Sequence, residues 1–196
     1  MFEIIRGILR GKSLMRTLMN QAARKECAHG VVLDIGGGER PSYFEYLQMD
    51  PGATIQNIDS KMTATGATHL DLEIQALPCA SMSVDTVLLF NCLEHIYHYQ
   101  HLMSEVARVL KSPGRIIGFV PFFINYHPDP HDYFRYTHEA LRQIFTDAGF
   151  FLIDIRPSGW GPFSVHFNNI LSIMPRIVAV LMLPFYSVKC LIFQKS

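Results

Sequence analysis

Charge is scarce in this 196-residue chain: Asp, Glu, Lys and Arg make up 17% of it, and 17 basic residues balance 17 acidic ones. The positive excess that marks a nucleic-acid-binding surface is missing, so no nucleic-acid partner is expected. Cysteine occurs four times, at Cys27, Cys79, Cys92 and Cys190, with no CxxC pair. Neither a zinc knuckle nor a disulfide framework is encoded, which fits a reducing cytoplasm. Tryptophan occurs once, at Trp160 in Ser158-Gly159-Trp160-Gly161-Pro162, where it reads as the anchor of a chain reversal. Repeats and low-complexity tracts are absent, and so is a membrane span. Between Phe163 and Val188 the only full charge is Arg176, but the uncharged run Ile177 to Val188 contains Pro184. At about 1.5 Å per residue it falls short of a hydrocarbon core of about 30 Å. Charges at Glu3, Arg6, Arg10, Lys12 and Arg16 likewise interrupt any signal-peptide core.

What the chain has is apolar surface. Hydrophobic residues make up 49% of it, and the mean hydropathy is +0.16. Disorder is excluded, and the length suits one α/β domain over residues 1–196. Residues 1–29 read as an N-terminal helical segment in which Met1 to Arg24 form a basic amphipathic helix. Such a helix packs on its own domain or lies on an anionic membrane surface. Residues 30–157 alternate short apolar runs with helical patterns, as βαβ units do. Strands are expected at Val31 to Ile35, Thr54 to Ile58, Asp85 to Phe90, Arg115 to Val120 and Phe150 to Ile155. Leu102, Val106, Val109 and Leu110 put one apolar stripe on a crossover helix, and Thr137 caps a helix ended by Gly149. Residues 158–187 form an apolar helical insertion that meets a membrane, a pocket, the domain's own core or a homodimer partner. Residues 188–196 hold a final strand, Val188 to Gln194.

The first strand runs into Gly36-Gly37-Gly38-Glu39-Arg40-Pro41, where glycines let the backbone approach a ligand. A GxGxxG dinucleotide fingerprint would need glycine at position 41, which is Pro41, so a nicotinamide-dependent oxidoreductase is disfavoured. Asp59 ends the second strand, where a carboxylate accepts from the vicinal hydroxyls of a ribose. Asp71, in His69-Leu70-Asp71-Leu72, could accept from an exocyclic adenine amine.

In order, Val32 to Gly38, Asn57-Ile58-Asp59, Ala76-Leu77-Pro78, Ser83 to Val87, Asn91 to Ile96 and Glu105 to Lys111 resemble the class I S-adenosylmethionine-dependent methyltransferases, type-11 family. The resemblance covers about Val31 to Ile155. It implies a Rossmann-like, seven-stranded, mostly parallel sheet with helices on both faces, whose antiparallel last strand is Val188 to Gln194. It also implies S-adenosylmethionine as cofactor, with Asp34, Gly36, Gly37 and Gly38 around the methionine moiety and Asp59 on the ribose. Asp71 and Leu72 then lie beside the adenine, and Asn91 lines the reactive side. Arg40 departs from the family pattern, which often has a third glycine there. Asp71 misses the family's usual spacing to Leu77-Pro78 by two residues, which leaves Glu73 as a competing adenine contact.

Methyl transfer from a sulfonium needs a positioned acceptor, and a base when the acceptor is a hydroxyl. The loop after Val120-Pro121 carries His127, Pro128, Asp129, Pro130, His131, Asp132, Tyr133, Phe134, Arg135, Tyr136 and Thr137. His127 or His131 is the candidate base, oriented by Asp132. Arg135 would hold an anionic acceptor group, with Tyr133 and Tyr136 on the acceptor side. His95, His98 and His101 are spaced by threes, but simple methyl transfer calls for no metal and no metal site is assigned. The resemblance, with the apolar tail, points to O-methylation of a small-molecule, saccharide or lipid-linked saccharide acceptor by a cytoplasmic, membrane-associated enzyme. The alternative is a methyltransferase-like scaffold that keeps the fold without catalysis.

Overall fold

The computed structural model describes residues 2–38, 41–60, 67–159, 161–171 and 173–193. Trp160, Glu39, Arg40 and Gln194 lie outside them. Strands β1 (Cys27–Ala28) and β3 (Gln48–Met49) form a small parallel pair. The main sheet contains β2 (Val31–Ile35), β4 (Thr54–Asp59), β5 (Ala67–His69), β6 (Val84–Phe90) and β7 (Leu110–Phe119), in the order β5-β4-β2-β6-β7. All its pairings are parallel, with Val31 opposite Thr54 and Val32 opposite Thr86. The chain runs outward from β2 to β5 and then returns to β6 on the other side of β2. That reversal opens a crevice at the carboxyl ends of β2 and β6.

Strands β2 and β6 are buried on both faces and so read as continuous apolar runs. Leu33, Ile35, Val87 and Leu89 face one way, onto Leu102, Met103, Val106 and Val109 of helix α3 (Tyr99–Val109) and the apolar stripe of α4 (His138–Asp147). Val32, Leu88, Phe90 and Ile117 face the other way, onto Met19 and Ala23 of α2 (Leu14–Ala23). Thr137 caps α4 by accepting from the Ala140 N–H at 3.1 Å.

Four expectations are corrected. Among the described residues the main sheet has five strands, not seven, and none is antiparallel. The segment expected as the last strand continues helix α6 (Arg176–Phe193). An established helix grows by one hydrogen bond per residue without a new nucleation cost, and residues 188–193 carry no period-2 alternation to oppose it. Residues 150–155 form no strand either: Phe151 and Leu152 are 85% and 90% exposed and make no ladder with β7. Finally, the N-terminal helix is two helices, α1 (Phe2–Leu9) and α2, separated at Gly11, whose φ of +78° ends the first.

The apolar insertion has a core of its own. Phe167 of α5 (Pro162–Leu171) and Ala179 and Leu183 of α6 pack against Ile4 and Ile8 of α1 and Leu14 of α2. Among the described residues no helix is long and apolar enough to cross a membrane.

Candidate functional site

Beyond Ile35 the chain turns through Gly36 and Gly38, with φ of +75° and +69°, conformations that favour glycine. A Cβ on Gly37 would lie 2.0 Å from Asp34 Oδ2, so the loop closes tightly over that carboxylate. Asp34 is fully buried; the Tyr43 hydroxyl donates to its Oδ1 at 2.6 Å, and Oδ2 has no hydrogen-bond partner. Burial pushes its pKa up to about 7, against the opposing pull of the tyrosine hydrogen bond. The Gly38 N–H donates to Asp59 Oδ2 at 2.8 Å, and Asn57 Nδ2 donates to the Gly38 carbonyl, leaving Asn57 Oδ1 unpaired. Asn91, just past β6, adopts a φ of +50°; its Nδ2 meets Met19 Sδ and its Oδ1 is unpaired.

Three buried oxygen acceptors without donors therefore lie at or beside the carboxyl ends of β2, β4 and β6. Each is costly unless a ligand supplies the donor. S-adenosylmethionine carries an ammonium group, ribose hydroxyls and an exocyclic amine, so its donors fit this set, with Asp34, Asn57, Asp59 and Asn91 as the residues that would hold it.

Asp71 and Leu72 are placed differently. The Asp71 carboxylate accepts from the Glu73 N–H at 3.0 Å, closing its own turn, and Leu72 is buried in the core. Glu73, the competing adenine contact, accepts from the N–H groups of Tyr97 and His98 at 2.8 and 2.7 Å, tying down the two residues just ahead of α3.

The histidine loop is stitched to the 3-10 turn Leu93–His95 that follows Asn91. The N–H groups of Tyr133 and Phe134 donate to the Glu94 carbonyl at 2.9 and 3.2 Å, and His95 Nδ1 bonds the His131 carbonyl. Asp132 serves His127, accepting its N–H at 2.9 Å, and its carboxylate is gripped by Arg135 at 2.5 and 2.7 Å. That guanidinium holds the Asp132 carboxyl well below the usual carboxylate range. His131 points its exposed ring toward Tyr133, with centroids 5.4 Å apart. Tyr136 is buried and donates to the Leu93 carbonyl, whereas Tyr133 and Tyr97 are exposed neighbours. The structure thus groups His127, Asp132 and Arg135, and turns His131 and Tyr136 to other uses.

Tyr43 and Glu94 are the residues that sequence reasoning missed. Glu94 is wholly buried, both carboxylate oxygens lack hydrogen-bond partners, and burial raises its pKa to about 8. Its adjacency to His95 was visible; the approach of His127, thirty-odd residues later, was not.

Comparison with known proteins agrees with this geometry. The methyltransferase domain family of type 11 matches residues 33–118. A ubiquinone/menaquinone biosynthesis C-methyltransferase of Cereibacter sphaeroides is 24% identical over 165 residues, covering 66% of each chain, so the match spans just under two thirds of that relative. A crystal structure of a SAM-dependent methyltransferase from Aquifex aeolicus aligns with a TM-score of 0.57 at 17% identity, covering 79% of this chain and 93% of that one. The [4+2]-cyclase SpnF aligns with a TM-score of 0.58 at 15% identity over 92% and 75% of the two chains, so the fold alone does not fix the reaction. Residues 33–118 thus resemble the methyltransferase domain family of type 11, and the parallel sheet and the glycine loop over Asp34 are what that resemblance implies.

Proposed function

We propose that this protein transfers the methyl group of S-adenosylmethionine to a hydroxyl of a small saccharide or lipid-linked saccharide. The observation that carries the cofactor half is the trio of unpaired buried acceptors, Asp34 Oδ2, Asn57 Oδ1 and Asn91 Oδ1, beside the glycine loop. The cofactor would supply an electrophilic methyl on its sulfonium; as the acceptor oxygen bonded that carbon, the carbon–sulfur bond would break to leave S-adenosylhomocysteine, and the hydroxyl proton would pass to a base of the histidine loop. This chain's part is to align the acceptor and exclude water. His127, positioned by Asp132, is the histidine that meets the acceptor hydroxyl, and exposed Tyr97 and Tyr133 offer ring faces for a sugar.

The lipid-linked reading is supported by a second surface. Phe2 and Leu9 of α1 and Ile173, Ile177 and Leu181 around α6 are exposed, with Arg6 exposed on α1 and Arg10 just past its end. Apolar side chains rimmed by cations suit an anionic bilayer.

Calorimetric titration with S-adenosylhomocysteine tests the first half. Wild-type protein is expected to bind, and Asp59→Ala to weaken binding by about 10- to 100-fold, the value of a charge-assisted hydrogen bond. Absence of binding by folded protein would turn the reading to a non-catalytic scaffold. In an acceptor screen starting with saccharides, His127→Ala is expected to lose turnover while retaining S-adenosylhomocysteine binding.

A further inference from the structure

Behind the histidine loop lies a set of donors that methyl transfer does not by itself require. Glu94 Oε1 lies 3.7 Å from His95 Nε2 and 3.9 Å from His127 Nε2, and one ligand atom from each of the three residues falls within 4.8 Å of the others. The outer nitrogens explain which way the lone pairs point. His95 Nδ1 is hydrogen-bonded to the His131 carbonyl, and His127 Nδ1 lies 3.0 Å from the Asn125 carbonyl and 3.4 Å from Asp132 Oδ2. Backbone carbonyls and a carboxylate only accept, so the shortest contact at each ring puts the hydrogen on Nδ1, and at His127 the 3.0 Å approach to the Asn125 carbonyl outweighs the longer 3.3 Å approach of Arg135 Nη2. Both Nε2 atoms therefore present lone pairs toward the Glu94 carboxylate.

The carboxylate itself lacks a counter-group. Glu94 is 0% exposed and neither oxygen has a hydrogen-bond partner. Arg135 is engaged bidentately by Asp132, so its charge is already matched. Two imidazole lone pairs and a buried carboxyl face one point, and a cation there would satisfy all three and displace the carboxyl proton.

We propose that Glu94, His95 and His127 bind a divalent transition-metal cation, of the zinc, cobalt or iron class. Two nitrogens and one carboxylate oxygen suit borderline cations rather than magnesium or calcium, which prefer oxygen donors. With bonds of about 2.1 Å, tetrahedral ligands lie roughly 3.4 Å apart, so the Glu94–His95 and Glu94–His127 pairs need close by a few tenths of an ångström and the two histidine nitrogens, within 4.8 Å of each other, by up to about 1.4 Å, a rotation of the partly exposed His127 ring. The His127 side chain is 32% exposed, which leaves an entry path and an open coordination position on the loop side. Resting on the methyl-transfer reading, that position would receive the acceptor hydroxyl and ease loss of its proton, so His127 acts through the ion. The binding site itself stands on the geometry alone.

The test is titration of chelator-stripped full-length protein with Zn2+ and, for its visible spectrum, Co2+. One equivalent is expected to bind, with four- or five-coordinate cobalt absorption. Glu94→Gln, His95→Ala and His127→Ala should each weaken binding at least tenfold, while His98→Ala, His101→Ala and His131→Ala leave it unchanged. In the wild type, the imidazole 15N resonances of His95 and His127 should move on adding Zn2+, a readout that needs no variant to fold. No binding, or binding carried by His98, His101 or His131, overturns the site. Titration with S-adenosylhomocysteine on the same metal-free sample reports separately whether the methyl-transfer reading stands.

Discussion

Asp34 carries one oxygen on the Tyr43 hydroxyl and the other unpaired beneath the glycine loop. Its folded pKa, about 7, stands well above the ordinary 3.8. Between those values the folded chain binds a proton that the unfolded chain has released, so this contribution is complete below about pH 4 and is lost as pH rises through 7. About three units correspond to roughly 4 kcal/mol. Urea unfolding at pH 5 and pH 8 should show the wild type losing more stability than Asp34→Asn; equal losses would exclude the effect. Glu73 makes a second case. Removing its carboxylate in Glu73→Ala leaves the Tyr97 and His98 N–H groups without their acceptor, and about 1 to 3 kcal/mol should be lost in the same assay. At this scale the sequence was readable where a residue acts beside its neighbours. Gly36, Gly38 and Asp59 converge because strand ends put them there. Glu73 and Tyr43 were illegible because their partners lie 24 and 9 residues away and are chosen by packing.

Helices and strands were legible in proportion to how far their signals are local. Val31–Ile35 coincides with its expected bounds, and Thr137 caps α4 as its sequence dictates. Thr137→Ala should therefore cost about 0.5 to 2 kcal/mol, seen as a lower urea midpoint. The segment 150–155 failed for a different reason: its composition favours a strand, but pairing is a tertiary event. The break between α1 and α2 also had a local sign, Gly11. Their crossing did not. A Cβ on Gly7 would approach Thr17 Oγ1 to 2.4 Å, so the two helices meet through a glycine. Gly7→Ala should push α1 away and lower stability by about 1 to 3 kcal/mol despite its better helix propensity. A more stable variant would show that the contact relaxes freely.

Across the described residues there are two apolar cores on the faces of one sheet and a third, built from α1, α5, α6 and the start of α2, away from it. That third core absorbs much of the apolar insertion and was hidden from sequence reasoning, because a uniformly apolar run does not say what it packs on. Its outer side remains exposed at Ile173, Ile177 and Leu181. Vesicles containing anionic lipid should sediment the wild type and release the Ile177→Glu/Leu181→Glu double variant; sedimentation with neutral vesicles alone, or none at all, would remove the bilayer from the reading.

Helix α2 belongs to two of these cores. Leu14 lies in the helical bundle, Met19 and Ala23 lie on the sheet, and Met19 Sδ touches Asn91 beside the glycine loop. A single rigid rod thus joins the surface that would rest on lipid to the pocket that would grip the nucleoside. A substitution that displaced α2 in the bundle would therefore also move the Met19 side chain that lies against Asn91.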